Sequence, residues 1–137
     1  MKFKTIHGAI RSVKKPQKYL IEWEGKSLSK FQFSVKEFLY SFWNSHVVFE
    51  EFPIAGTKLS LDFFNASKNI AIEVQGQQHT KYTPFFHNNN KANFISQLKR
   101  DKDKLFFCEI NDIKLIEIYP EDKINKQLFK KQGVILI

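Results

Sequence analysis

Residues 58–79 read KLSLDFFNASKNIAIEVQGQQH and hold the pattern from which the fold can be predicted. It holds two runs typical of β-strands, Lys58–Asn65 and Asn69–Gln75, joined only by the short polar segment Ala66-Ser67-Lys68. Two such runs separated by so few residues predict an antiparallel β-hairpin. The hairpin is the centre from which the other elements can be placed.

The hairpin brings two carboxylates together. If residues 66–69 form a four-residue loop, Asn65 pairs with Ile70, and counting back along the ladder sets Asp62 opposite Glu73. Like charges directly opposite one another are destabilising, so something must compensate for them. Oxygen ligands on one sheet face suit a hard cation such as Mg²⁺ or Mn²⁺. The alternative is that both carboxylates point to solvent, or that the register differs by one residue.

Further elements flank the hairpin. Ser34, followed three residues later by Glu37, is a capping-box pattern that predicts a helix from about Val35 to Asn44. The remaining elements are a strand over Val47–Pro53, a second helix over about Lys91–Cys108 and a strand over Ile113–Ile118 that Pro120 ends. The order α-β-β-β-α-β predicts an α/β (α+β) domain with a mixed sheet.

The N-terminal 33 residues differ in charge from the rest. Residues 1–18 carry basic side chains and no acid, and Tyr19–Lys26 alternates as a strand does. We therefore divide the chain into a basic β-rich arm, residues 1–33, and a core, residues 34–137. The chain has 22 Lys and Arg against 14 Asp and Glu, a net charge of +8 that favours a phosphate-bearing partner. A basic, solvated surface without a polyanion partner is the alternative.

Several classes of protein are disfavoured by composition. No stretch approaches the length of a membrane span, and the N-terminus lacks a continuous apolar signal region, so we expect an intracellular, cytoplasmic protein with no membrane partner. The single cysteine, Cys108, excludes an internal disulfide and is expected to be a buried helix residue.

The second helix carries an interrupted apolar stripe. Phe94, Leu98, Leu105 and Cys108 lie at helical spacing. Asp101, between Leu98 and Leu105, occupies the position where this stripe would have another apolar residue. Gln97, Arg100 and Lys104 flank the same edge, which predicts that this patch faces a metal centre or a DNA strand. A salt bridge along the helix edge is the alternative.

The ordered pattern D-x10-E-x-Q-G-x-x-H, formed by Asp62, Glu73, Gln75, Gly76 and His79, resembles the PD-(D/E)XK nuclease superfamily. The resemblance is closest to the branch of very-short-patch repair endonucleases and EDxHD homing endonucleases, often carried by phages, and it runs from about Ser34 to Tyr119. Two departures stand out. Gln75 occupies the position where many members have a lysine, and the repair enzymes' zinc-binding cysteines and histidines are missing.

The resemblance implies a restriction-endonuclease-like fold and a Mg²⁺-dependent DNA endonuclease, with Mn²⁺ as a substitute. Asp62, Glu73 and the backbone carbonyl of Val74 would hold the metal. His79 would act as general base or contact the phosphate, while Gln75 would orient a water molecule. Glu37 is either a second metal ligand or water-orienting carboxylate, or only a capping acid.

The DNA partner is expected to contact the arm, the segment that follows the second hairpin strand, and the second helix. The residues assigned to it are Lys14, Lys15, Lys18, Gln78, Gln97, Arg100, Asp101 and Lys104. Two other functions stay open: a catalytically silent DNA-binding module of the same fold, and a structure-selective nuclease for branched DNA or RNA. Whether the protein forms a homodimer is also open.

Overall fold

The computed structural model describes residues 1–76 and 91–137. Its strands are β1 Lys2–Lys4, β2 Ile10–Ser12, β3 Val48–Pro53, β4 Ser60–Asn65, β5 Ile70–Val74 and β6 Lys114–Ile118. Its helices are α1 Lys30–Trp43, α2 Lys91–Ile110 and α3 Lys126–Lys131, and a 3-10 turn covers Pro16–Tyr19. The predicted order α-β-β-β-α-β is present from α1 to β6, and α3 follows it.

The main sheet has four strands in the order β3-β4-β5-β6. Its first two pairings are antiparallel and the third, β5 with β6, is parallel, so the predicted mixed sheet is confirmed. Asn65 pairs with Ile70, which confirms the predicted hairpin register. A parallel pair needs a crossover, and α2 lies within the connection from β5 to β6.

Helices and the arm cover both faces of this sheet. Val35, Leu39 and Trp43 of α1 pack with Ile72 of β5 in one apolar cluster, together with Phe129 of α3. A second cluster joins Phe107 and Cys108 of α2 to Ala71 and to Phe3 of the arm. Burial on both faces explains why β5 is apolar without interruption from Ile70 to Ile72.

Helix α1 begins earlier than predicted. Its N-cap is Ser29, whose Oγ accepts a hydrogen bond from the Gln32 backbone N at 3.0 Å. Ser34 lies inside the helix and donates to the Phe31 carbonyl, so the capping box of Ser34 and Glu37 was wrong. The earlier start matters because it makes Gln32 and Lys36 buried helix residues.

The predicted strand over Tyr19–Lys26 was also wrong. Pro16 opens the 3-10 turn, and of this segment Leu20 alone forms a β-bridge, to Phe49. The Lys36 ammonium donates hydrogen bonds to the carbonyls of Glu22 and Gly25 at 3.0 and 2.9 Å. A buried side chain thus uses carbonyls that a neighbouring strand would otherwise need. The β-structure of the arm is instead the β1–β2 hairpin.

The apolar stripe predicted for α2 is only partly correct. Phe107 and Cys108 are fully buried, as expected for Cys108, whereas Leu98 and Leu105 are 40% and 45% exposed. The buried residues of α2 thus lie near its C-terminal end. Among residues 1–76 and 91–137, no helix has the length and apolar character to cross a membrane.

Candidate metal centre

Asp62 and Glu73 are fixed where the hairpin ladder ends. The last backbone pairing between β4 and β5 on this side is Phe63 with Ile72. Beyond it, the Asp62 backbone N donates to Glu73 Oε2 at 2.8 Å, and the Val74 backbone N donates to Asp62 Oδ2 at 2.7 Å. Each carboxylate therefore satisfies a backbone N–H of the opposite strand, and the two side chains face each other as predicted.

Lys104 of α2 reaches this pair. Its Nζ lies 2.5 Å from Glu73 Oε1, and its side chain is only 17% exposed. Cys108, one helical turn later, is fully buried against the sheet and anchors this part of α2. Lys104, which was expected to contact DNA, forms an ion pair with Glu73, and its contact with DNA stays a prediction. The sequence gives no signal for this contact, because 31 residues separate the two partners.

The pair carries more negative charge than Lys104 neutralises. Burial, and next the charge of Glu73, raise the pKa of Asp62 to about 6, against the opposing effects of the Val74 N–H and Lys104. Burial also raises the pKa of Glu73, although Lys104 works in the opposite direction. Removing a carboxylate from water disfavours its charged form, and one ammonium does not offset that cost for two of them.

A third carboxylate, Glu51, was not predicted. It lies in β3 in register with Asp62, between the pairs Glu50 with Phe63 and Phe52 with Leu61. Its backbone is left-handed, with φ of 53°, which is uncommon for a residue other than glycine. Burial is the main cause that raises the pKa of Glu51, and the charge of Asp62 adds to it. The adjacent acids at 50 and 51 inside an apolar strand were the available signal.

Helix α1 holds Glu51 through a buried network. Gln32 Nε2 donates to Glu51 Oε2 at 3.0 Å and to Glu50 Oε2 at 2.9 Å. The fully buried Lys36 forms an ion pair of 2.9 Å with Glu50 Oε1. Ser60 of β4 donates to the other oxygen of Glu51 at 3.3 Å. Gln32 and Lys36 thus connect α1 to the strand beside Asp62.

The donor chemistry of the facing pair fits a hard divalent cation. Asp62 and Glu73 offer carboxylate oxygens only, which Mg²⁺ and Mn²⁺ prefer. Burial first and the charge of Glu73 second raise the pKa of Asp62, and a bound cation would favour its charged form. Within residues 1–76 and 91–137, however, no group of three or more His, Cys, Asp or Glu side chains is arranged to hold a metal ion.

The other predicted site residues are dispersed. Gln75 is buried directly after β5, where its backbone N donates to the Ile118 carbonyl at 2.8 Å. Glu37 is exposed on α1, and its side chain forms no hydrogen bond or ion pair with any described residue. Gln97 and Asp101 are half-buried on α2, and Arg100 is exposed there. Gln78 and His79 lie outside the described residues.

The arm approaches the acidic residues from the side of β3. Lys14, Lys15 and Lys18 are all exposed. Lys18 and Lys26 line a cleft of about 330 Å³ together with Glu50 and Glu51. Basic side chains therefore lie next to the strand that carries the third carboxylate.

No family model matches the sequence, and no solved structure matches it. The chain is similar to three uncharacterized viral proteins. It is 38% identical over 66 residues to protein 033L of Invertebrate iridescent virus 3, a match that covers 48% of this chain and 34% of the viral protein. It is 39% identical over 66 residues to protein 094L of Frog virus 3, covering 48% and 43%. The match to protein 307L of Invertebrate iridescent virus 6 is 35% over 74 residues, covering 53% and 37%. The chain thus spans less than half the length of each of these curated relatives.

Proposed function

We propose that this protein is a metal-dependent DNA endonuclease that hydrolyses phosphodiester bonds. The observation that carries the proposal is the facing pair of Asp62 and Glu73, whose buried negative charge exceeds what Lys104 neutralises. The resemblance of the hairpin motif to the PD-(D/E)XK superfamily gives the pair its reaction class. The specific restriction-endonuclease-like core belongs to the same proposal.

The metal would be held by Asp62, Glu73 and the backbone carbonyl of Val74, with Mg²⁺ as the resident ion and Mn²⁺ as its substitute. A divalent cation, when bound, polarises a phosphoryl oxygen and stabilises the charge that develops during hydrolysis. The protein prepares the ligands beforehand. Because each carboxylate accepts a backbone N–H bond, its orientation is set by the hairpin rather than by the ion.

Many members of the superfamily have a lysine at the position that Gln75 occupies here. In this protein Lys104 of α2 supplies the ammonium beside Glu73. Its hydrogen bond fixes Glu73, and its remaining N–H donors are suited to a phosphate oxygen next to the carboxylates. Lys104 is thus a positioning residue for Glu73. The role of His79 as general base and that of Gln75 in orienting water stay predictions.

DNA binding is supported by charge and by location. The net charge of +8 supplies attraction to phosphates that is independent of sequence. The exposed lysines of the arm include Lys18, whose cleft also contains Glu50 and Glu51. A duplex held by the arm would therefore lie near the strand beside Asp62.

The test is incubation of the full chain with supercoiled DNA, branched DNA and structured RNA, each with Mg²⁺, with Mn²⁺ and with chelator. We expect cleavage of DNA with either metal and none with chelator. An Asp62→Asn variant prepared in parallel excludes a contaminating nuclease and should bind DNA without cutting it. Binding without cleavage by the wild type would instead support the silent DNA-binding module. Cleavage restricted to branched DNA or to RNA would support the structure-selective nuclease.

A further inference from the structure

A second cleft lies at the other end of β5 from the carboxylate pair. It has a volume of about 600 Å³ and is bordered by the end of α1, the β4–β5 turn, the start of β6 and residues 133–137. Ile70 lines it, and Ile70 precedes Glu73 by three residues, which is about 10 Å along a strand. This cleft, called the basic cleft below, is therefore separate from the candidate metal centre.

The basic cleft combines cationic groups with an apolar wall. His46, Lys68 and Lys114 line it, and none of the described lining residues carries a side-chain carboxylate. Neither lysine forms an ion pair or side-chain hydrogen bond with another described residue. The wall is built from Trp43, Ile70, Val134 and Leu136. Two ammonium groups that have no ion-pair partner among the described residues lie beside an apolar wall, and this combination favours an anion that also has an uncharged body.

The hydrogen bond to Asn65 sets which ring nitrogen of His46 accepts a hydrogen bond. The Oδ1 of the fully buried Asn65 accepts a hydrogen bond from the Lys68 backbone N at 3.0 Å, so the amide nitrogen of Asn65 must face the imidazole. That nitrogen lies 2.9 Å from His46 Nδ1 and can only donate. Nδ1 therefore accepts, and the proton of the neutral ring is on Nε2.

Lys114 is held over a glycine. Gly133 has φ of 88°, and a Cβ added to it would lie 2.9 Å from Lys114 Nζ and 3.3 Å from its Cε. The exposed side chain of Lys114 thus passes directly over the backbone of residue 133, which places its ammonium group at the edge of the cleft. A larger residue at position 133 would displace it.

We propose that the basic cleft binds a phosphate monoester, either on a small molecule of nucleotide size or at the 5′ end of a nucleic-acid strand. The phosphate would be bound by Lys68, Lys114 and the Nε2–H of His46, and the attached body would lie against the apolar wall. Charge-assisted hydrogen bonds of this kind are the stronger ones in proteins. The volume is within the range of sites for small ligands.

The test is titration calorimetry on the full chain with an Asp62→Asn substitution and chelator present, so that hydrolysis and metal binding do not contribute. The probes are adenosine monophosphate, adenosine, and a trinucleotide with either a 5′-phosphate or a 5′-hydroxyl. We expect at least one phosphorylated probe to bind and both unphosphorylated probes to fail. Tighter binding of the monophosphate identifies a small-molecule ligand, and tighter binding of the phosphorylated trinucleotide identifies a strand end.

Variants locate the binding. Lys68→Gln and Lys114→Gln should each weaken binding of the phosphorylated probe by about tenfold or more, because each removes a charged donor. Lys68→Arg should retain it. Lys58→Gln, which neutralises an exposed lysine outside the cleft, is the matched control and should have no effect. Unchanged affinity in both glutamine variants, no binding of any phosphorylated probe, or equal binding of the two trinucleotides would overturn the proposal. These outcomes are independent of whether the protein cleaves DNA.

Discussion

At the scale of single residues, backbone hydrogen bonds in the candidate metal centre hold two carboxylates close together although their charges repel each other. Asp62 and Glu73 cannot turn away from each other without leaving a backbone N–H of the opposite strand unpaired. An unpaired buried donor costs about 1–3 kcal/mol. The hairpin therefore holds two repelling carboxylates together, and Lys104 offsets only part of the repulsion. Two predictions follow from this balance.

Asp62→Asn should stabilise the metal-free protein above pH 6. The pKa of Asp62 is raised to about 6 from an ordinary value of 3.8, so the folded state binds the proton more tightly than the unfolded chain does. The contribution of Asp62 to stability is thus most favourable below about pH 4 and is lost as the pH rises to 6. Asparagine retains an oxygen that can accept the Val74 N–H bond but cannot ionise.

Urea unfolding between pH 4 and 8 with chelator checks this prediction. The stability of the variant relative to the wild type should increase as the pH rises. Glu24→Gln, which neutralises an exposed acid, should show no such increase. A variant less stable than the wild type at pH 7 would contradict the assigned repulsion.

Lys104→Met should separate metal affinity from cleavage rate. The variant leaves the charge of Glu73 uncompensated, so the metal-free protein should lose about 1–3 kcal/mol of stability. Its affinity for Mn²⁺ should rise by about tenfold, because a cation no longer meets the ammonium. Its cleavage rate should fall, because the donor beside the phosphate is gone.

Calorimetric Mn²⁺ titration and single-turnover cleavage measure the two effects. The control is Lys102→Met, which removes an exposed cation of the same helix that has no ion pair among the described residues. A lower Mn²⁺ affinity in Lys104→Met would show that Lys104 organises Glu73 for the metal more than it repels the ion.

At the scale of elements, β3 departs from the regular alternation of a strand. Phe49 and Phe52 are three residues apart, so a regular strand would place them on opposite faces. Their rings instead lie 4.7 Å apart in the same apolar cluster. The alternation of side chains between the two faces of the sheet shifts by one residue at Glu51, whose φ is 53°. The left-handed residue therefore serves the core by bringing both rings to one face, and it aligns Glu51 with Asp62.

The left-handed backbone at residue 51 predicts that a glycine variant at this position is more stable than an alanine variant, the reverse of the usual order in a strand. Glycine within a strand is ordinarily less stable than alanine, but a left-handed conformation costs a residue with a Cβ about 1 kcal/mol or more. Glu51→Gly should therefore be more stable than Glu51→Ala by about 1 kcal/mol. Urea unfolding of the two variants measures the difference, since both lack the carboxylate equally. The same pair at Phe49, which has ordinary strand geometry, should show the opposite order.

The parts of this fold that depend on local spacing were predictable. The length of the connection between β4 and β5 set the register, and the register set Asp62 opposite Glu73. The start of α1 was missed because Ser29 and Ser34 are both good N-caps, and only burial of Gln32 and Lys36 distinguishes them. The prediction of a strand at residues 19–26 was wrong because the ammonium of Lys36 donates hydrogen bonds to backbone carbonyls of this segment. Lys104 and Glu51 were missed because their positions depend on packing between elements far apart in sequence.

At the scale of the whole molecule, aromatic packing fixes the basic arm to the sheet. Phe3 of the arm lies 5.8 Å from the ring of Phe52 and 5.6 Å from that of Phe107. The arm is thus part of the same core that positions β3 and α2. Its exposed lysines are consequently presented at a fixed place relative to the carboxylates, as a DNA-binding surface requires.

Neutralising the arm should reduce the salt dependence of DNA binding. Replacing Lys14, Lys15 and Lys18 by glutamine should weaken binding and lower the slope of log affinity against log salt by about 0.9 for each lysine that contacts a phosphate. Fluorescence anisotropy at several salt concentrations measures the slope. Replacing the exposed residues Lys58, Lys123 and Lys130 is a control with the same change of charge. An equal change of slope in both variants would mean that the arm has no special role.

We propose that Asp62 and Glu73 together hold the cation that makes this protein a nuclease. The most direct measurement is the single-turnover rate of DNA cleavage at increasing Mn²⁺ for the wild type, Asp62→Asn and Glu73→Gln, with DNA binding measured for each. We expect the wild-type rate to saturate with Mn²⁺, while both variants bind DNA normally and cleave at least about a hundredfold more slowly. Cleavage by either variant at the wild-type rate, or wild-type cleavage that persists in chelator, would contradict this proposal.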